Sequence, residues 1–301
     1  MKMISKYGCF RLLAVLIAGV LGSHVAIGAP TDGAQLLARR AQLQAELQEQ
    51  SFGEPLVLRS QDDGKRLEGE VYAELGQPME RIRSMLGSGE SVCGMLFLHL
   101  NVRSCLSEQT SEGLVLHMAA GPKQGATPAT TYRMDYRMVV EATKADYLRV
   151  SLKAQRGPLG TYDYRIVFEA APVDAQRSFL RVGYAYGYGS LAKMAYGLYL
   201  TTVGRTKIGF TVLGRGADGA PQYIQGERGS MERNVVRNYL ALQAYTSVPT
   251  GSIQVQTEAR LRTWFALTER HAAQLHEMDL AQYLEIKHED LKDMAAAASL
   301  R

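Results

Sequence analysis

Residues 132–168, YRMDYRMVVEATKADYLRVSLKAQRGPLGTYDYRIVF, decide the fold. Apolar or amphipathic side chains fall at every second position: Tyr132, Met134, Tyr136, Met138 and Val140, then Leu148, Val150, Leu152 and Ala154, then Tyr164, Ile166 and Phe168. Successive side chains of a strand point to opposite faces, so this spacing predicts three strands that share one apolar face. Arg133, Asp135, Arg137, Arg149, Ser151, Lys153, Arg165 and Glu169 fall on the other face. The turns between the runs are too short for crossover helices, which predicts an antiparallel sheet with one wet face.

The alternation continues on both sides of this stretch. Leu114, Leu116 and Met118 precede it and Leu180, Val182, Tyr184, Tyr186 and Tyr188 follow it, with 121–130 as the longest polar loop. Upstream, Leu67, Val71, Ala73 and Leu75 mark a half-buried strand. Pro78 then suits the first turn of a helix carrying Met79, Ile82, Met85 and Leu86, which Gly87, Ser88 and Gly89 stop. Residues 92–100 are apolar nearly all round, as in a buried helix. Downstream, 190–203 read as an apolar helix, 207–213 as a strand and Asp218-Gly219 as a turn. Ser230 is expected to cap a long helix with a stripe of Val235, Val236, Tyr239, Leu240 and Leu242, ended by Pro249.

The order of strand, two short helices, antiparallel meander and long C-terminal helix resembles the helix-grip fold of the START-like and polyketide-cyclase-like (SRPBCC) superfamily. The likeness runs from about Leu67 to Val248, with stretches such as 93–105 (CGMLFLHLNVRSC) and 157–164 (GPLGTYDY) also similar to a group of uncharacterised exported bacterial proteins. It implies an α+β fold in which a curved antiparallel sheet wraps a long helix, with helical extensions at both ends. It also implies an apolar cavity between sheet and helix for a lipid, sterol-like or polyketide-like ligand. On that reading Tyr132, Met134, Tyr136, Met138, Tyr164, Phe168, Tyr184, Tyr186 and Tyr239 line the cavity, tyrosines offering apolar bodies with polar tips and methionines adapting to irregular shapes. The same face could equally be plain core. The chain departs from the simple pattern in two places, an insertion at 190–229 before the grip helix and a helical tail at 250–301.

The chain's ends add a compartment. Lys2, Lys6 and Arg11, an apolar run at 12–21 and small residues up to Gly28 have the order of a secretory signal peptide, so 1–28 are expected to be removed on export to the periplasm. Removing three basic and no acidic side chains takes the formal charge from +4 to +1, which gives no electrostatic case for nucleic acid. The apolar run is shorter than a membrane span of roughly 20 residues, and no later run approaches that length. Residues 29–65 are read as a helical arm and linker: Asp32 caps a Leu36, Leu37, Leu43, Leu47 helix over 33–50, and 51–65 link it to a domain at 66–249. In the tail, one helix buries Leu261, Trp264 and Phe265, and the next opens on a capping box of Asp279 and Gln282 with Met278 and Tyr283 as its staple. Cys93 and Cys105, the two cysteines left after processing, favour a disulfide in an oxidising compartment, worth roughly 3 kcal/mol in the chain-entropy account, over two separate buried thiols.

Little in the sequence points to chemistry. Ser190 and Lys193 match Ser-x-x-Lys, but its companion motifs are missing and the expected fold differs. The glycines of 183–189 (GYAYGYG) alternate with aromatics inside a strand rather than forming a phosphate loop, and leave one sheet face flat. No histidine has zinc-site spacing, and no metal or cofactor is expected. Asp135, Arg137 and Arg165 belong to the wet face by period, with Asp163 beside them, so no buried acid, base or nucleophile emerges. The residues therefore favour binding or transport of a hydrophobic small molecule over two rivals. One is a cyclase, dehydrase or hydrolase using the same cavity; the other is a non-enzymatic envelope assembly protein that docks a partner through the helical extensions.

Overall fold

The computed structural model describes residues 32–122, 125, 130–190, 192–194, 205–249 and 251–299. The expected signal peptide and most of the expected 190–203 helix lie outside them. Two short helices, α1 (Gly33–Gln42) and α2 (Gln44–Glu49), are followed by strands β1 (Leu56–Asp62) and β2 (Arg66–Leu75), and by helices α3 (Met79–Leu86) and α4 (Gly89–Phe97). The meander is β3 (Val102–Thr110), β4 (Gly113–Ala120), β5 (Tyr132–Lys144), β6 (Tyr147–Arg156), β7 (Tyr162–Pro172) and β8 (Ser178–Gly187). A small hairpin, β9 (Val212–Arg215) and β10 (Pro221–Tyr223), precedes the long helix α5 (Gly226–Ser247). Helices α6 (Ile253–Glu269), α7 (Ala272–Leu275) and α8 (Leu280–Ser299) complete the described chain.

The eight-stranded sheet runs β1-β2-β8-β7-β6-β5-β4-β3, antiparallel at every pairing. The strand before the two short helices thus pairs with the last strand of the meander, and α5 packs across β1, β2 and β8. This is the α+β helix-grip arrangement. Register places Val71, Val182, Phe168 and Val150 side by side, and Met138, Leu152 and Ile166 beside them, on one inner face. Gly69 lets α5 come close: a Cβ there would stand 3.0 Å from Met231 Cγ and Val235 Cγ1.

Three boundaries differ from the sequence reading. The expected linker at 51–65 contains β1, a full edge strand paired with β2 from Leu56 to Asp62; Gly53, Pro55 and Gly64 bracket it and hid its Leu56-Val57-Leu58 run. Helix α5 begins at Gly226, a turn before Ser230, which is buried within it. The strand expected at 207–213 is the later hairpin β9–β10, turning at Asp218-Gly219 as the sequence suggested. Other local signals stand. Asp32 caps α1, accepting from Gln35 N at 2.8 Å, and in the capping box Asp279 Oδ1 accepts from Gln282 N at 2.9 Å while Gln282 Oε1 accepts from Asp279 N at 3.2 Å. Cys93 and Cys105 form a disulfide that ties α4 to β3.

Neither terminal extension is an appendage. Leu36, Leu43 and Leu47 of the expected arm bury against Val57, Tyr72, Tyr147 and Phe179 on the outer face of the sheet. Gly33 abuts the β5–β6 turn, where a Cβ would lie 2.4 Å from the Asp146 carbonyl oxygen. At the other end, Leu261, Trp264, Leu267, Met278 and Tyr283 join the inner core. Trp264 lies on Tyr283 at 5.3 Å, and the Tyr283 hydroxyl donates to the Leu98 carbonyl at 2.7 Å. Buried Lys287 donates to the carbonyls of His99 and Val102 at 3.0 and 2.5 Å, satisfying oxygens just past the end of α4. Burial pushes its ammonium down to about 7, against the pull of Asp290. The inner face is therefore covered by α5 over β1, β2 and β8 and by α4 over β3 and β4. Helix α8 reaches β3 and α6 packs on α5 and α8, and the apolar stripes expected to dock a partner are used inside the chain. Among the described residues no helix is long and apolar enough to cross a membrane.

Candidate functional site

The alternation that defines the strands also builds the inner face. Met134, Tyr136 and Met138 of β5, Tyr164 and Phe168 of β7, and Tyr186 of β8 are all buried, as is Tyr239 of α5, whereas Tyr184 is half-buried. Tyr164, Tyr184 and Tyr186 form one aromatic cluster, with ring centroids 5.0 Å apart for Tyr164 and Tyr186 and 5.8 Å for Tyr184 and Tyr186. The Tyr164 hydroxyl shares a hydrogen bond with Thr161 Oγ1 at 2.8 Å.

Two of the expected lining residues differ from the others in their surroundings. Tyr132 is 45% exposed at the first residue of β5. Tyr239 is buried on α5 but turns its hydroxyl to Glu54, 3.3 Å away, in the segment leading into β1. Burial raises the Glu54 pKa, although hydrogen bonds from Gln243 and Tyr239 oppose it.

Tyr136 is the unusual member. Its side chain is 1% exposed, and its hydroxyl meets only the Met134 sulfur, at 4.0 Å, among the described residues. Burial first, and the neighbouring Tyr164 second, raise its pKa, so the phenol is neutral and can donate. A thioether is a weak acceptor, so this hydroxyl lies in the core without an oxygen or nitrogen partner among the described residues. Sequence periodicity placed Tyr136 on this face, but nothing in the sequence marked it apart from Tyr164.

The outer face holds the groups that sequence reasoning assigned to solvent, and it divides in two. Over β3, β4 and β5 the expectation holds: Asp135 pairs with His117 at 2.7 Å, His117 also meets Glu108 at 3.0 Å, and Arg137 pairs with Glu112, all exposed. Over β6, β7, β8 and β2 a second group of charges, Arg149, Glu169, Arg181 and Glu70, is buried or half-buried instead, while Lys153 and Arg165 stay exposed. Glu169 is fully buried, accepts from Arg149 at 2.8 Å and from Tyr147, and pairs with Arg181, which also holds Glu70. Beside this network runs a trough of about 580 Å³, with Ser151, Val167 and Gly183 in one row of the register and Arg66, Glu68, Lys153 and Arg165 among its walls. Each of those cations faces a carboxylate: Arg66 faces Glu68 and Asp163, Lys153 faces Glu141, and Arg165 faces Asp163. The trough is thus a lattice of mutually satisfied charges. Burial works to raise Glu141, yet Ser151, Arg149 and Lys153 hold its carboxyl down at about 2.

The glycine stretch at 183–189 lies in β8 up to Gly187, and so in the sheet rather than in a phosphate loop. Ser190 and Lys193 are exposed. Among the described residues no group of three or more His, Cys, Asp or Glu side chains is arranged to hold a metal ion.

No protein-family profile and no curated protein sequence matches the chain. Several solved structures are similar to it. A START superfamily protein from Mycobacterium smegmatis is 13% identical, over 47% of this chain and 93% of its own, with a TM-score of 0.32. The Zhui aromatase/cyclase from a Streptomyces species is 14% identical, over 65% of this chain and 95% of its own, with a TM-score of 0.36. Norcoclaurine synthase from Thalictrum flavum is 14% identical, over 49% and 80%, with a TM-score of 0.31. None of these likenesses bears on what this chain binds.

Proposed function

We propose that the chain binds a hydrophobic small molecule, of lipid, sterol-like or polyketide-like character, between the inner face of the sheet and the helices that cover it, and does so in the periplasm after export. One observation supports the reading above the others: the buried Tyr136 hydroxyl with only a thioether in reach. Leaving a buried hydroxyl without a good acceptor costs about 1–3 kcal/mol, which a ligand oxygen set in an apolar body would recover. Met134 and Met138 flank it with side chains that adapt to irregular shapes. The aromatic cluster of Tyr164, Tyr184 and Tyr186 lies on two neighbouring strands of the same face.

Native mass spectrometry of protein isolated from the periplasm, followed by extraction, tests the reading. The expected result is a bound apolar molecule with an oxygen acceptor, on a chain that begins at Ala29. Tyr136→Phe should weaken its retention by roughly tenfold, the worth of one hydrogen bond, while leaving the fold at least as stable. An empty protein, together with a Tyr136→Phe variant indistinguishable from wild type, would overturn it.

A further inference from the structure

Most arginines among the described residues that form ion pairs are accounted for by carboxylates; two that gather at the end of α5 are not. Arg81 of α3 donates through Nε and Nη2 to the carbonyls of Thr246 and Val248, at the end of α5. Arg260 of α6 lies over the Tyr245 ring of that same last turn, Cζ 3.6 Å from the centroid. Tyr245 is held there by α4, where Gly94 leaves room for it: a Cβ on Gly94 would stand 3.0 Å from Tyr245 Cε2. Four helices therefore converge on a pair of guanidinium groups.

No ion pair within 4 Å relieves either charge among the described residues, and Arg260 Nε is out of solvent without an acceptor. The carboxylates closest in sequence point elsewhere: Glu80 approaches Arg83 at 3.8 Å, and Glu258 binds Arg262 at 2.6 Å and His288 at 2.8 Å. Burial first, and the positive charge of Arg81 as well, lower the Arg260 pKa, which marks the two charges as mutually repelling neighbours. Arg81 already serves the carbonyl end of α5 through Nε and Nη2, which leaves its Nη1, while Arg260 is also hydrogen-bonded to Tyr245 and keeps Nε without an acceptor. Both residues are half-buried rather than enclosed. Guanidinium edges match tetrahedral and planar oxyanions with parallel hydrogen bonds, and an anion between them removes the repulsion.

We propose that Arg81 and Arg260 form a binding site for a phosphate-class oxyanion, either free phosphate or a phosphodiester headgroup. The site is separate from the inner face and does not depend on what occupies it.

Two arms separate the sources. Calorimetric titration with inorganic phosphate, following the Arg260 Nε–H resonance in parallel, reads the free ion. Co-sedimentation with phosphatidylglycerol vesicles, against phosphatidylcholine vesicles, reads the headgroup. Binding in either arm that falls roughly tenfold or more in Arg260→Gln, with Arg262→Gln unchanged as the paired-arginine control, is the expected result. Phosphate binding assigns the free ion, and binding to phosphatidylglycerol alone assigns the headgroup. No binding in either arm, or binding that Arg260→Gln does not weaken, overturns the site. Should Arg260→Gln fail to fold, an Arg260 Nε–H resonance in the wild-type chain that moves with neither phosphate nor phosphatidylglycerol would do the same.

Discussion

The two halves of the outer sheet face carry the same residue types at the same spacing and come to opposite ends. Between β5 and the β3–β4 turn, Arg137 and Glu112 meet at 2.6 Å with side chains 51% and 77% exposed. On β7 and β8, Arg181 and Glu169 meet with side chains 10% and 0% exposed. What separates them is α1, whose Leu36 packs with Tyr72, Tyr147 and Phe179 beside the second pair. A charge pair in water is cheap to keep and of little consequence to lose. The same pair under a helix has been desolvated and must be satisfied in full, and here Tyr147, Arg149 and Glu70 complete it.

Breaking the buried half should have the largest effect. Glu169→Ala leaves two guanidinium groups and a phenol facing an empty position, and is expected to cost roughly 3–5 kcal/mol in urea unfolding. A loss below 1 kcal/mol would mean that water reaches the network and that the two halves are alike. Next, Leu36→Ala removes the apolar anchor of the cover, at about 3 kcal/mol. It should also speed amide exchange in the first residues of α1 before any change at β4 and β5, as hydrogen-exchange mass spectrometry would detect.

Glu141 sits at the border, on the β5 irregularity between Val140 and Ala142, and binds Arg149 at 2.5 Å. Its folded pKa of about 2 lies below the ordinary 4.5, so its stabilisation is complete above pH 4.5 and is lost as pH falls through about 2. Glu141→Gln should cost about 1–2 kcal/mol at pH 7 and flatten that acid limb, read from unfolding midpoints between pH 2 and 5. The smallest effect belongs to the exposed half. Glu112→Ala should change stability by no more than about 1 kcal/mol, and less at high salt. A larger loss would show that exposure is not what distinguishes the halves.

The candidate site was legible in part, for a related reason. Period-two spacing put Met134, Tyr136, Met138, Tyr164, Phe168 and Tyr186 on the inner face, where they are buried. It equally put Tyr132 there, since alternation says which way a side chain points but not what covers it. That Tyr136 alone meets only a sulfur depends on its neighbours across β5 and β7, which are distant in sequence. The buried status of Glu169 was invisible on the same grounds: its spacing matches that of Arg165, which is exposed.

Local rules were enough for whatever depends on near neighbours along the chain: the strands of the meander, the caps at Asp32 and Asp279, the Cys93–Cys105 pairing and the α+β grip order. They failed where an element is defined by what covers it. Strand β1 is a strand because β2 lends it seven partners, from Leu56 to Asp62, which a short apolar run between glycines and prolines does not reveal. The arm at 33–50 and the tail after Gly251 had legible apolar stripes without an address, and tertiary structure sent the first to the outer face and the second to the inner core. A stripe records only that some surface must leave water. Which surface it leaves water against is set by the competition among all the faces the folded chain offers, and that competition is not written in any one segment.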